Sequence, residues 1–301
     1  MEIPAWPHAR PLEMADKALF DGVFEQLQPR ISECTFAGLY LFRRAHDYRV
    51  SRVGDALVVM GCGYDGARYV LPPLTGDIPR ALSTVMGEGI ELYGADDAFS
   101  SRYLLGEGIV QEEDRNAFDY LYLREELAQL PGNRFHKKKN RINYFSVRHR
   151  YQVHVFSDVQ QNGCLQVLRL WQSVAEQEGN RSLRLEVDAA AEAIEQAKAL
   201  ALQGVVVEVE GKVKGFALGE LLNRETAVCH FEKCDPFMEG LPQLVNREFS
   251  RLLFPECRYI NREQDLGEPG LRTAKLSYHP VELVRKFRAR LSSTAMPPPG
   301  V

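Results

Sequence analysis

Apolar positions along the chain switch between two periods. Residues 13–28 carry Met14, Ala18, Phe24 and Leu27 ahead of Pro29, which predicts a helix that stops there. Residues 36–45 predict a second, aromatic-rich helix. The period then shortens. Residues 48–53, 56–61 and 68–71 read as strands, with Gly54-Asp55 as a hairpin turn and Pro72-Pro73 closing the series. A helix over 78–86, a strand over 90–93, a helix over 98–105 and a strand over 119–123 follow. The second half repeats this grammar: long helices over 162–178 and 188–202 with a loop at 178–182, then strands over 205–210, 213–222 and 226–233. A helix over 241–253, a strand over 258–261 and a short helix over 271–275 complete it. Residues 1–12, with three prolines, predict an extended lead-in, and residues 291–301, again with three, a disordered tail.

Helices, a β-meander, a helix just past a strand and a final strand follow the order of a GNAT-like (N-acetyltransferase) domain, and the first half shows a looser version. The expected fold is therefore α/β (α+β), with tandem GNAT-like domains, each a mixed sheet flanked by helices. The expected division is an N-terminal domain over 13–133, a basic connecting helix over 134–150 and a C-terminal domain over 151–290.

Charge changes the picture at that connection. PGNRFHKKKNRINYFSVRHR, residues 131–150, holds seven Lys/Arg and no carboxylate in a chain of net charge −4, so everything outside it sums to −11. Residues 107–126, just before it, hold seven carboxylates. Ile142 and Phe145 lie three apart, and Pro131-Gly132-Asn133 supplies a break with Asn133 as N-cap. The expected helix packs through Phe135, Ile142 and Phe145 and turns Lys137, Lys138, Lys139 and Arg141 to solvent. Such a face suits a polyanion: nucleic-acid phosphate, anionic lipid headgroups or a nucleotide. An ordinary solvated helix face explains the same charges.

Composition bounds the rest. At 301 residues with 45% hydrophobic and 26% charged content, a core of normal size can be buried without staples. Six cysteines form no C-x-x-C pair, so no metal site is expected, and reduced thiols in a cytoplasmic protein are the simplest expectation. The N-terminus lacks an apolar signal region, and no run approaches the ~18 apolar residues a membrane span needs. Membrane contact, if any, is expected to be peripheral.

Two segments could carry chemistry. HFEKCDPFMEG, residues 230–240, leaves a strand and enters a helix, where folds of this order hold a donor's phosphates; Gly240 suits that turn. The Gln/Arg-x-x-Gly-x-Gly/Ala pyrophosphate loop of acetyl-CoA users is absent, which counts against that donor. Alternation puts His230 and Glu232 on one strand face and Cys229, Phe231 and Lys233 on the other. Glu232 or Asp235 would orient or deprotonate an amine nucleophile; a rim ion pair is the bland alternative. HxE is no deaminase signature here, because no Pro-Cys-x-x-Cys follows. NREQDLG, residues 261–267, then follows an apolar strand, so Arg262, Glu263 and Asp265 would face the crevice at a strand's end. The same residue types make an ordinary turn, with Glu263 and Arg272 paired. Lys275 and Tyr278 are candidates for a phosphate contact and a general acid.

FHKKKNRINYF (135–145), HFEKCDPFMEGLPQLVN (230–246) and YINREQDLGEPGLRTAKLSYHP (259–280) together resemble the C-terminal domain of bacterial phosphatidylglycerol lysyltransferases, above all its stand-alone members. The resemblance covers roughly residues 13–290. It implies a tandem fold related to the Fem peptidyltransferases, which move an aminoacyl group from charged tRNA to an acceptor hydroxyl or amine. Residues matching the family's motifs are Lys137, Lys138, Lys139, Asn140 and Arg141 in the basic stretch, then Asp235 and Gly240. In the C-terminal signature they are Asn261, Arg262, Glu263, Asp265, Gly267, Leu271, Arg272, Lys275 and Tyr278. Taken together with the reading of the residues above, the expected roles are catalysis for Glu232, Asp235, Glu263 and Tyr278. Donor or phosphate binding falls to the basic stretch with Gly240, Arg262, Arg272 and Lys275. His230, Asn261, Asp265 and Gly267 shape the loop or the acceptor side. The expectation is a chain without the membrane-embedded half of the family's full-length members, which argues against a lipid acceptor. Aminoacyl-tRNA is the expected donor, with no other cofactor required. The alternatives are an acyl-CoA-dependent N-acyltransferase and a non-catalytic module binding tRNA or anionic lipid.

Overall fold

A computed structural model of the chain describes residues 2–179 and 181–292. The expected disordered tail over 291–301 is corrected at its start, where Leu291 ends a strand paired at Ile109; its residues from 293 on, and Asn180 in the expected loop, lie outside the described residues. In chain order the first half holds β1 (Arg10–Pro11), α1 (Lys17–Leu27), α2 (Phe36–His46), β2 (Arg49–Val53), β3 (Ala56–Cys62), β4 (Arg68–Val70), α3 (Ile78–Gly87), β5 (Glu91–Ala95), α4 (Asp97–Tyr103), β6 (Ile109–Glu113) and β7 (Asp119–Leu123). The second holds α5 (Arg124–Gln129), α6 (His136–Arg148), β8 (Tyr151–Val155), α7 (Gln161–Glu178), α8 (Arg181–Leu200), β9 (Gln203–Val209), β10 (Lys212–Asn223), β11 (Thr226–Cys234), α9 (Leu241–Leu252), β12 (Tyr259–Asn261), α10 (Pro269–Leu276), β13 (Glu282–Val284) and β14 (Phe287–Leu291).

Two compact units result. One comprises the chain up to Asp119, Gln264–Pro269 and the segment from Leu283 on; the other comprises Tyr120–Glu263 and Gly270–Glu282. The expected boundary at 133 thus differs from the observed division, and the basic helix lies inside the second unit. The first unit's sheet runs β1-β2-β3-β4-β5-β14-β6. Its core brings Val53, Val58, Val70 and Leu92 of the strands against Ala81, Leu82, Val85 and Met86 of α3. α3 starts at Asp77, whose carboxylate accepts from the Arg80 amide at 3.1 Å. The second sheet runs β13-β7-β12-β11-β10-β9-β8, and α9 covers it with Leu241, Leu244, Val245 and Phe249, all buried.

Each sheet contains a parallel pair, β4 with β5 and β11 with β12. Around these pairs the two halves repeat: meander, helix, strand, helix, two closing strands. The last strand of each repeat sits in the other repeat's sheet, β14 between β5 and β6, and β7 between β12 and β13.

α6 packs through Phe135, Ile142 and Phe145, all buried as expected, and departs from expectation in two ways. Asn133 does not cap it: Asn133–Phe135 form a 3-10 turn and the helix begins at His136. Lys138 is half-buried rather than turned to solvent, because spacings of three and four put it in line with Phe135 and Ile142 on the packed side.

Candidate active site

The second unit's site begins where two strands part. Parallel pairing of β11 with β12 runs from Thr226↔Tyr259 to Val228↔Asn261, while β11 continues to Cys234. At the same place β11 carries a bulge: Leu218 pairs with Phe231 and Gly219 with Cys229, which leaves His230 as the extra residue. Glu232 is consequently in phase with Cys229, because their partners Ala217 and Gly219 share a face. This corrects the strict alternation expected from sequence, and His230 and Glu232 acquire different partners.

His230 is clamped between two carboxylates. Its Nε2 lies 2.9 Å from Glu220 Oε1 and its Nδ1 2.8 Å from Glu263 Oε1. Burial opposes the charged imidazole, but the two carboxylates outweigh it and lift its pKa to about 10. The triad is a buried ion cluster holding Glu263 in place. Glu263 itself sits at a positive φ of 54°, and its amide donates to Asn261 Oδ1 at 2.8 Å, a tight turn that ends β12.

That turn sends Arg262 back toward β11. Its Nη2 donates to Glu232 Oε2 at 3.0 Å, and Asn246 Nδ2 of α9 donates to the same oxygen at 3.1 Å. The guanidinium lies 5.0 Å from the Tyr278 ring centroid and 5.8 Å from that of Tyr122. Among the described residues, Arg262 Nη1 and Asn246 Oδ1 are buried without a hydrogen-bond partner. Lys138 Nζ also approaches Tyr278, 3.9 Å from the ring centroid, and donates to Ser277 Oγ at 2.6 Å. Loss of hydration, then the nearby Arg262 and Arg141, lower the Lys138 pKa to about 8 despite Glu232. Arg262 and Lys138 thus both approach one aromatic ring with the Glu232 carboxylate close by, an arrangement able to hold a developing oxyanion.

The other sequence candidates fall into two groups. Asp235 bonds Lys214 at 2.9 Å and the Phe237 amide at 3.1 Å, so it shapes the β11–α9 turn. Lys275 is buried and gives its ammonium to the carbonyls of Arg262 and Glu263, pinning the turn from below. Burial raises the Tyr278 pKa, so the phenol keeps its proton. Asp265 is fully buried in the first unit, accepting from the Gly267 amide at 2.9 Å and facing Arg115 at 3.3 Å. Gly240 has φ +90°, and a Cβ there would lie 2.1 Å from the Arg141 carbonyl oxygen. Its lack of a side chain serves the close approach of α6. Lys137, Asn140 and Arg141 are exposed, Lys139 and Arg272 half-buried. Asn246, Glu220 and Tyr122 are the participants that sequence reading missed. Glu220 had a signal: it continues the phase of Phe216 and Leu218, where a carboxylate is out of place.

Residues 24–290 match the family described as phosphatidylglycerol lysyltransferase, C-terminal, and the chain belongs to it. A structure from Bacteroides thetaiotaomicron, described as a conserved protein of unknown function, is similar at 28% identity and TM-score 0.86, over 94% of this chain and 99% of that one. The C-terminal domain of a putative lysylphosphatidylglycerol synthetase from Agrobacterium fabrum is similar at 13% identity and TM-score 0.63, over 94% and 93%. FemX is similar at 9% identity and TM-score 0.56, over 93% and 96%. No curated protein matches. The fold is thus the expected α/β tandem of GNAT-like domains. Family and fold point to an acyltransferase of this type. Among the described residues, no helix is long and apolar enough to cross a membrane.

Proposed function

We propose that the protein transfers an aminoacyl group from aminoacyl-tRNA to an acceptor hydroxyl or amine. The observation that carries this reading is Arg262: nearly buried, fixed by Glu232, with one Nη free of partners beside Tyr278 and Lys138. A fixed guanidinium stabilises charge that develops on an ester carbonyl oxygen and costs little reorganisation when the reaction occurs. Holding donor ester and acceptor in line supplies much of the remaining rate. The exposed Lys137 and Arg141 of α6, with half-buried Lys139, give tRNA phosphates a landing surface. An acyl-CoA donor is disfavoured because the start of α9, its expected phosphate site, faces the Arg141 carbonyl oxygen across Gly240.

The test is transfer of label from a pool of radiolabelled aminoacyl-tRNAs into lipid, peptide and small-amine fractions, beside an acyl-CoA pool. Label leaving tRNA only, and lost after RNase treatment, is the expected result, and the labelled fraction identifies the acceptor class. Label leaving CoA only would transfer the reading to an N-acyltransferase. No transfer from either pool would leave a non-catalytic polyanion-binding module.

A further inference from the structure

We propose that Lys138 is the base that removes the acceptor's proton, and is thereby set apart from Lys137 and Lys139 beside it in sequence. The inference rests on the acyl-transfer reading above and adds a catalytic residue to it. Lys138 is on the packed side of α6, with Nζ donating to Ser277 Oγ at 2.6 Å and lying 3.9 Å over the Tyr278 ring. Ser277 Oγ donates its own hydrogen to the Ala274 carbonyl at 2.5 Å, so it takes a hydrogen from Lys138 and cannot return one. A neutral amine has two hydrogens and one lone pair. With one hydrogen on Ser277 and the other over the ring, the lone pair is left to face a substrate.

The surroundings favour the neutral form. Loss of hydration on partial burial comes first; Arg262 after β12 and Arg141 on α6 then repel a third cation, against Glu232 on β11, while Tyr278 stays an uncharged phenol. The amine's pKa falls to about 8. Exposed Lys137 has no such setting and keeps to the polyanion surface. In the step itself, the acceptor's oxygen or nitrogen forms a bond to the ester carbonyl carbon as its proton passes to the Lys138 lone pair. The tetrahedral intermediate then collapses, the bond to the ribose oxygen breaks, and the ammonium returns the proton to that oxygen. Lys138 ends neutral, and the tRNA leaves with a free hydroxyl.

The experiment compares wild type, Lys138→Arg and Lys138→Ala for transfer between about pH 6 and 9, with tRNA affinity measured alongside and folding checked by circular dichroism. Wild-type kcat is expected to rise with pH through about 8. Lys138→Arg keeps the charge and the tRNA affinity but loses about 10²–10³-fold in kcat together with that pH limb. Small alkylamines added to Lys138→Ala restore part of the rate. Retention of kcat in Lys138→Arg overturns the proposal, and so does a loss seen only as weaker tRNA binding. Wild type that transfers from no donor overturns the transferase reading itself, and the base falls with it. The wild-type control therefore tells the two failures apart.

Discussion

An imidazole with no exposed surface and a carboxylate on each ring nitrogen cannot serve as a base near neutrality. His230 is held protonated by Glu220 and Glu263, and its work is to fix Glu263 beside the Arg262 turn. Because its folded pKa is raised, from 6.5 to about 10, the stability it contributes is fully present below about pH 6.5 and is lost as pH rises through about 10. His230→Gln should cost at most about 3–5 kcal/mol at pH 7, since it leaves two partly buried carboxylates without the cation between them. Urea unfolding at a series of pH values measures both effects: the variant should lose the alkaline decline of the wild type. An unchanged slope would show that the triad is not the group that titrates. The sequence displayed His230, Glu232, Arg262 and Glu263 as candidates, but their partners were hidden. A β-bulge is a register event between two strands, and no residue in HFEKC announces it. Asn246 was likewise concealed, as a polar residue on a helix whose apolar face is broad enough to enclose it.

Among elements, those with strong periodicity were legible to within a few residues: α2, α3, the β2–β3 hairpin, the β9–β11 meander and α9. β6, β8, β13 and β14 were not, because IVQEE, YQVHV, ELV and FRARL mix polar side chains into short segments with no apolar run. Basic α6 was expected as a helix, yet its charge obscured the spacing that brings Lys138 inward. Its docking against the start of α9 depends on Gly240, which combines a left-handed backbone with direct contact to a main-chain carbonyl oxygen. Gly240→Ala should therefore cost about 1–2 kcal/mol for the backbone conformation, and about 1–3 kcal/mol more for the forced separation of the helices. Thermal unfolding gives the magnitude. Lost transfer in a variant of undiminished stability would instead assign Gly240 to substrate contact.

For the whole molecule, the repeat visible in the sequence does not coincide with two separable domains. β14 is an interior strand, bonded to β5 on one side and to β6 on the other, so the first unit's sheet is incomplete without the segment around residues 283–292. That segment also brings Lys286, fully buried, to Asp119 at 2.7 Å and to Glu33. Burial disfavours the ammonium, yet Asp119 and Glu33 raise its pKa, so it stays charged. Asp119 accepts from the Ser32 amide at 2.7 Å as well, which ties the α1–α2 loop into the same cluster. A fragment ending at residue 133, where composition and charge change in the sequence, would keep Asp119 and Glu33 but lose their cation and the strand beside β5. Two buried carboxylates without a counter-ion cost several kcal/mol, comparable to the whole stability of a domain. Residues 1–133 expressed alone should therefore fail to unfold cooperatively in urea. Adding residues 134–301 as a second chain should restore a cooperative transition, because it returns β14 and Lys286. A fragment that unfolds cooperatively by itself would show that the exchanged strand is an accessory to the first sheet and that the sequence boundary is a true domain boundary.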